Sequence, residues 1–530
     1  MTAKETIQSG KATLGIEFGS TRIKCVLIDE DCNPIAQGSH TWENQLIDGL
    51  WTYSIDDIWT GLQDCYAQLR ADVKEKYGVE IEILASMGVS AMMHGYMPFN
   101  KDGKILVPFR TWRNTNTGKA AAALSELFDF NIPLRWSISH LYQAILNNEP
   151  HVKDITFFTT LAGYIHWQLT GEKVLGIGDA SGMLPIDPEL KDFNRTMMDK
   201  FQKIIDPYGF PWKLADILPR VLVAGEEAGA LTPEGARRLD PSGHLRAGVP
   251  LCPPEGDAGT GMTATNSVKQ RTGNVSAGTS SFSMIVLEHN LSKPYPSIDI
   301  VTTPDGSPVA MVHCNNCTSD INAWVNIFKD YIELTGQKAD MGELFTNLFN
   351  VALKGDPDCG GLVTYNYISG EPVTDLADGR PLVVRSANDK FTLANFMRAN
   401  LYGAVAVLKI GNDILLKDEK VNVDRITGHG GFFTTPVVGQ KILAAALNSP
   451  ISVMKTAGEG GPWGMAILAS YLVNNKNHQS LADYLDNNVF AGNTGSEVKP
   501  DPADVDGFNK YIENYKKGLE IEKAATKYKA

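Results

Sequence analysis

The chain has little of what marks several large protein classes. Its 530 residues hold seven cysteines, Cys25, Cys32, Cys65, Cys252, Cys314, Cys317 and Cys359. They are sparse and odd in number, which points away from a disulfide framework and toward reduced thiols and a cytoplasmic setting. Cys314 and Cys317 form a single C-x-x-C with no second such pair and no His-x-His, so isolated thiols are expected rather than a redox pair or half a metal site. No uninterrupted apolar stretch reaches ~18 residues, which argues against a helical membrane span, and residues 1–11 are polar, without the apolar core of a secretory signal. Positive charge is in deficit: 48 Lys and Arg stand against 61 Asp and Glu, a net charge of −13. That balance disfavours a nucleic-acid partner, because phosphate backbones are gripped by clustered cations. There is no G-x-x-x-x-G-K-[ST] phosphate loop, and no G-x-G-x-x-G follows a strand and opens a helix, so P-loop and dinucleotide folds lack support.

What is present is an ordinary globular mix, 43% hydrophobic and 21% charged. Single cores stop growing near ~250–300 residues, so this length implies two large domains or three. The 49 glycines cluster at 15–19, 256–261, 273–278, 428–431 and 458–464. The clusters lie between apolar runs, which places them at tight turns inside folded domains. Residues 14–28 and 274–287 share one form: an apolar run, a Gly-Ser/Thr turn, and a second apolar run. Each reads as a β-hairpin. Their turns lie half a chain apart, which suggests a duplicated architecture, with coincidence of two common turns as the alternative. Helical spacing marks 54–74 (with Ser54 as a cap), 138–146, 161–169, 321–334 (capped at Ser319 or Asp320), 393–415, 438–447 and 463–472. Strand signals at 83–89 and 425–428 interleave with them, giving α/β layers. Phe508, Tyr511, Ile512, Tyr515 and Leu519 recur at helical spacing near the C-terminus, the mark of an amphipathic helix docked on the body.

Glycine turns let the backbone approach a ligand closely, and successive N–H groups form an anion-binding nest. Hydroxyls of Ser20, Thr21, Thr279 and Ser280 add donors, so the two hairpins together suit a phosphate chain. Phosphoryl transfer further requires a carboxylate for the magnesium shell and a base for the acceptor. Glu17 ends an otherwise apolar strand just before its turn, where an acid must be solvated, paired or near a metal. Lys24 is near enough along the hairpin to pair with it. Asp257, in the flexible turn Glu255-Gly256-Asp257, opens a helical pattern and is either a helix cap or a general base.

With these residues in place, the chain resembles the FGGY family of carbohydrate kinases, and most its xylulokinase branch, over roughly residues 13–472. The family's first phosphate hairpin, D-x-G-T-x-x-x-K, is matched by Glu17, Gly19, Ser20, Thr21 and Lys24, and its second, G-T-S, by Gly278, Thr279 and Ser280. Its G-G-D loop corresponds to Glu255-Gly256-Asp257, and its sugar-binding Q-M-H-G to Met92-Met93-His94-Gly95. A Y-L-S-G-E-R stretch is echoed by Tyr367 to Glu371. The adenosine-side G-G-G turn and G-A-A-x-x-A helix are echoed by Gly428-His429-Gly430-Gly431 and by residues 464–469. The resemblance implies an α/β fold of two ribonuclease-H-like domains, of the actin/hexokinase/Hsp70 ATPase type, flanking a central cleft. Their spans would be 11–266 and 267–495, followed by a helical tail over 496–530.

By the same resemblance, Asp257 is the general base, and Met93, His94, Trp112, Asn114 and Asp257 meet the sugar. Gly19, Ser20, Thr21, Lys24, Gly278, Thr279, Ser280, Gly430 and Gly431 hold ATP, and Glu17 with Asp257 serves Mg²⁺. The implied activity is ATP-dependent phosphorylation of a ketose primary hydroxyl, D-xylulose first, with other pentuloses or hexuloses such as L-ribulose or L-xylulose as alternatives. A catalytically retired sugar-binding regulator and an Hsp70-like or actin-like ATPase are the competing classes. The expected partner is a small-molecule sugar, with neither nucleic acid nor membrane; homodimerisation is left open. Three departures stand out: Glu17 where the family has Asp, Asn114 where its W-N-D-x-R segment has Asp, and Tyr402 where its R-A-x-x-E-G helix has Glu. They motivate the retired-regulator alternative and fall mostly on the acceptor side.

Overall fold

The computed structural model describes residues 1–454, 460–492 and 495–528; Gly458 of the last glycine cluster lies outside them. The first hairpin forms as its sequence directs. β1 (Thr13–Phe18) and β2 (Arg22–Ile28) pair antiparallel, and β3 (Pro34–Thr41) extends the sheet. β1 is buried along its whole length, because both sheet faces are covered, so it reads as a continuous apolar run instead of an alternation. Helix α1 (Ile55–Tyr77) follows, with Ser54 Oγ capping the Asp57 N–H at 3.0 Å. β4 (Ser86–Ala91) lies parallel to β1. It starts three residues later than the apolar pattern indicates, because Ile83 is 41% exposed and lies against Gly10 before the ladder begins.

Helices α2 (Gly118–Phe128), α3 (Ser137–Leu146) and α4 (Leu161–Thr170) follow in the first lobe, and α5 (Ile177–Ala180), buried throughout, donates from the Gly178 and Asp179 N–H groups to the Glu255 carboxylate. A two-residue strand, β5 (Glu255–Gly256), then adds in parallel to β4 and runs directly into α6 (Asp257–Ala264). The resulting sheet order is β5-β4-β1-β2-β3.

The second lobe repeats this scheme. β6 (Thr272–Ala277) and β7 (Ser281–Val286) make the second hairpin, β8 (Asp299–Thr302) is an edge strand, and β9 (Pro308–Cys314) pairs antiparallel with β7. Helices α7 (Ser319–Leu334) and α8 (Leu393–Asp413) precede β10 (Arg425–His429), which lies parallel to β6. After α9 (Val438–Leu447), β11 (Ile451–Val453) adds in parallel to β10. Helix α10 (Gly460–Asn474), edge strand β12 (Ser496–Val498), helix α11 (Pro502–Lys517) and, past Gly518, a short helix over Leu519–Thr526 that holds Leu519 end the described residues. The sheet order is β8-β9-β7-β6-β10-β11-β12. Without its edge strands it is the order of the first sheet, with an antiparallel hairpin extended by one strand and followed by two parallel crossovers. The fold is therefore the duplicated α/β architecture of two ribonuclease-H-like lobes.

α10 joins the lobes. It comes from the C-terminal half yet packs on β1 and β4, where a Cβ at Gly15 would meet Pro462 O at 2.0 Å. Trp463 Nε1 donates to Cys32 O, and Ser86 Oγ donates to Ala469 O. α6 lies alongside, with Gly464 against Thr260 O. The terminal helix docks as its pattern indicates: Phe508, Tyr511, Ile512 and Tyr515 are buried. It also explains the Tyr402 departure. Arg398, buried on α8, bonds Tyr402 Oη four residues on and takes its carboxylate partner, Asp504, from α11. α8 departs from its pattern only at the end, where a wide turn over Ile414–Asp418 replaces its last regular residues.

Candidate active site

Each hairpin turn spends its carbonyl groups on its own chain. In the first, Trp42 Nε1 donates to Gly19 O, Tyr53 Oη to Ser20 O, and the Trp42 N–H to Thr21 O. In the second, the Thr318 N–H and Oγ1 both donate to Gly278 O, the Cys317 N–H to Thr279 O, and the Gly278 N–H to Ser280 O. The backbone N–H groups of Ser20, Thr21, Thr279 and Ser280 make no hydrogen bond among the described residues. A turn with its acceptors satisfied and its donors free presents positive potential, the condition for an anion nest. This also accounts for the start of α7. Thr318 occupies the cap position, one or two residues before the expected Ser319 or Asp320, and its hydroxyl supports the hairpin instead of capping the helix.

The C-x-x-C belongs to the same support. Cys314 and Cys317 are free and fully buried, and burial pushes both thiols up. Glu371 holds the turn between them: its Oε2 accepts from the Asn315 and Asn316 N–H groups and from Asn316 Nδ2. Asn316 Oδ1 in turn accepts from the Ile368 and Ser369 N–H groups. The Tyr367–Glu371 stretch therefore braces the second hairpin from behind.

A cavity of about 360 Å³ lies between the lobes and brings together Glu17, Ser20, Met93, His94, Trp112, Asp257 and Ser280. Glu17 comes from the end of β1, directly across from Lys24 on β2. Burial raises its carboxyl to about 7, against the pull of Lys24. Gly461 on α10 makes room for it, since a Cβ there would fall 1.9 Å from Glu17 Oε1. Asp257 is the first residue of α6, where the free N–H groups of a helix start favour an anion. Its Oδ1 accepts from the Met93 N–H at 3.3 Å. Asp257 lies deep among protein atoms, which raises its carboxyl to about 6, yet the side chain is open to the cleft.

His94 adopts a left-handed backbone (φ 70°) followed by Gly95 at φ 92°, a bend that turns its ring inward from the end of β4. Nδ1 is fixed on Gly182 O at 3.1 Å, and the ring lies parallel to Trp136. Burial, then Arg135, holds the imidazole well below its usual range, so it is neutral and keeps Nε2 for another partner.

Other expected residues fall elsewhere. Thr21 and Thr279 are exposed at the turn tips, and Lys24 faces Glu17 without lining the cavity. Gly430 and Gly431 follow His429, which does line it. Gly430 has φ 99° and packs on Ala277 O, whereas Gly431 has open space where a Cβ would be. Asn114 lies away from the cavity. Its amide is buried and satisfied by backbone, accepting from the Trp51 N–H and donating to Trp51 O and Thr111 O, and it does not reach the cavity. Asp would lose both donated bonds, so the amide is a structural requirement here.

Several cavity residues carry no local sequence signal. Arg135 comes from the segment before α3 and ion-pairs with Asp299 of β8, joining the lobes. Beside it, Asn131 Nδ2 donates to Ile298 O and to Asp299 Oδ1. His313 and Met311 enter from β9, and Asn274 from β6. Asn274 is buried in its hairpin strand, as Glu17 is in the other, but among Thr272 and Ser276 its amide does not stand out in the sequence.

Two duplicated lobes closing on a cleft are the architecture of ATP-dependent phosphotransferases of the actin/hexokinase type. The chain matches the N-terminal domain of the FGGY family of carbohydrate kinases over residues 12–258 and the C-terminal domain over residues 273–473, and it belongs to that family. It is 23% identical over 470 residues to a xylulose kinase of Lactococcus lactis, covering 86% of this chain and 87% of that one. It is 21% identical over 401 residues to one of Haemophilus influenzae, covering 71% and 76%. Among solved structures it is similar to a xylulose kinase from Lactobacillus acidophilus (TM-score 0.77, 17% identity, 97% and 98% covered). A gluconate kinase from the same organism is as similar (TM-score 0.76, 18% identity, 97% and 98% covered), so the likeness establishes the fold and leaves the acceptor open. The chain is an ATP-dependent sugar kinase acting on a small-molecule sugar.

Proposed function

We propose that this kinase transfers the γ-phosphoryl group of ATP to the primary hydroxyl of a ketose, with Asp257 as the base. The single observation that carries this reading is that one cavity holds Asp257, Glu17 and the turn hydroxyls of both lobes, Ser20 and Ser280. The free turn N–H groups bind the phosphate chain from two sides, and Gly430 with Gly431 supports the nucleotide beside His429. Asp257 accepts the hydroxyl proton as the oxygen attacks in line, a contribution of roughly 10²–10⁴ in rate. Met93, His94 and Trp112 orient the sugar, and closure of the lobes keeps water from competing as acceptor.

Glu17 and Asp257 fit a hard divalent cation. Both are oxygen donors facing one cavity, and among the described residues no group of three or more His, Cys, Asp or Glu forms a complete metal cage. Two carboxylates plus substrate phosphates is the way Mg²⁺ is held. When bound, Mg²⁺ neutralises charge on the β- and γ-phosphates.

Two relatives named xylulose kinase make D-xylulose the first acceptor to test. A coupled ADP-release assay with D-xylulose, L-xylulose, L- and D-ribulose, hexuloses and glycerol tests the reading. Sugar-dependent ADP release supports it, and none with any ketose would refute it.

A further inference from the structure

The cavity at Asp257 borders a second chamber of about 550 Å³, with which it shares part of its lining. This outer chamber is larger than the reaction chamber and within the ~300–1,000 Å³ range of a small-molecule site. Three residues line both and stand as a collar at their shared boundary: Trp112 and Arg135 from the first lobe and His313 from the second. Beyond the collar the walls come from both lobes, with Thr115 and Ala122 on one side and Ser297 and Asn315 on the other.

The chemistry of these walls is that of a site for neutral hydroxyls. Arg135 is already neutralised by Asp299, and Arg113 stacks over Trp51 at 3.7 Å. Thr115, Ser297 and His313 make no side-chain hydrogen bond among the described residues, so two hydroxyls and an imidazole are available to a ligand. Burial, then Arg135, keeps His313 neutral, down to about 4, so it both donates and accepts. Trp112 adds an aromatic ring at that boundary.

We propose that the acceptor passes through this collar: the preferred substrate is a neutral polyhydroxylated ketose longer than a pentulose, and His313 is a specificity-determining residue that reads its distal hydroxyls from the second lobe. The inference rests on the kinase reading above and ranks acceptors within it. Because His313 is carried by β9 and Arg135 by the first lobe, only the closed lobes complete the collar, so a long acceptor is recognised at the moment the reaction chamber closes.

The experiment measures kcat/KM of the purified enzyme with D-xylulose, a hexulose, a heptulose and a ketose-terminated disaccharide. Wild type is expected to favour the best of the longer acceptors over D-xylulose by about tenfold, the scale of one or two net hydrogen bonds. His313→Ala is expected to lower that long-to-short ratio about tenfold, and so is Ala122→Trp, which fills the outer chamber from the surface of α2. An absent preference in wild type overturns the inference, as does a ratio that neither variant moves. A chamber that serves only as an entry path gives the latter result, because the plug then slows all acceptors alike. Absence of turnover with every sugar instead overturns the kinase reading itself. Should Ala122→Trp fail to fold, the His313→Ala ratio decides.

Discussion

Trp112 Nε1 donates to Ser20 Oγ at 3.2 Å, so the Trp112 wall of the cavity and the first glycine turn are a single hydrogen-bonded unit. On the proposed reading, a change on the sugar side is therefore felt on the nucleotide side. Trp112→Phe keeps an aromatic wall and deletes only the donor. It is expected to raise KM for ATP as well as for the sugar, each about three- to tenfold, the scale of one net hydrogen bond. Steady-state kinetics with each substrate varied in turn checks this. An effect confined to the sugar would mean that the indole bond does not position the turn.

Gly278 and Gly430, in the two turns proposed to hold the nucleotide, differ in what the fold asks of them. A Cβ on Gly278 would have no atom within 4 Å, and the backbone there is not left-handed, so the fold itself tolerates alanine. Gly430 has φ 99° with Ala277 O 2.5 Å from the Cβ site, so there the fold requires glycine. Gly278→Ala is expected to unfold at the wild-type temperature while KM for ATP rises about tenfold. Gly430→Ala is expected to lose stability by about 1–3 kcal/mol through strain. Thermal unfolding alongside ATP kinetics separates the two. A Gly278→Ala enzyme with unchanged ATP kinetics would show that no phosphate approaches this turn.

Asn114 is expected to matter for stability and not for sugar binding. Asn114→Ala leaves the Trp51 N–H without its side-chain partner in a buried setting, a loss of about 1–3 kcal/mol. Denaturant unfolding measures it. KM for the sugar should stay within about twofold of wild type; a larger rise would return Asn114 to the acceptor site.

Glu371 gives the stability a pH dependence of known sign. It is fully buried, Oε1 has no partner, and burial raises its carboxyl to about 7, with bonds from Asn316 opposing. The folded state thus holds the proton more tightly than the unfolded chain, whose carboxyl titrates near 4.5. The stability this proton confers is complete below about pH 4.5 and is lost as pH rises to about 7. Glu371→Gln stays neutral throughout. Its stability relative to wild type is expected to rise between pH 5 and pH 8, by on the order of a few kcal/mol. An equal difference at the two pH values, by thermal or denaturant unfolding, would contradict this.

What the sequence disclosed and what it hid divide by range. Both hairpins, the Ser54 cap, the inward face of α11 and the duplicated order were legible, because each depends on residues close in sequence whose spacing follows strand or helix geometry. Glu17 and Asp257 were legible because a carboxylate at an apolar strand end or in a glycine-rich turn is out of place without a task. Arg135 and Asp299 are far apart in sequence, and nothing local marks them as partners. The setting of Asn114 is hidden for the same reason: its bonds run to Trp51, and the motif around it shows only that a polar residue is needed. Tyr402 departs from its family, yet its Arg398 neighbour finds an acid on α11, a substitution visible only once the tail is docked.

The most direct test of the account is ADP release by Asp257→Asn against wild type, with the ketose that wild type uses best and saturating ATP, alongside calorimetric binding of both substrates. The account predicts that the variant binds ATP and sugar within a few-fold of wild type and turns over about 10²–10⁴ times more slowly. Turnover within a few-fold of wild type would contradict it and place the base on another residue.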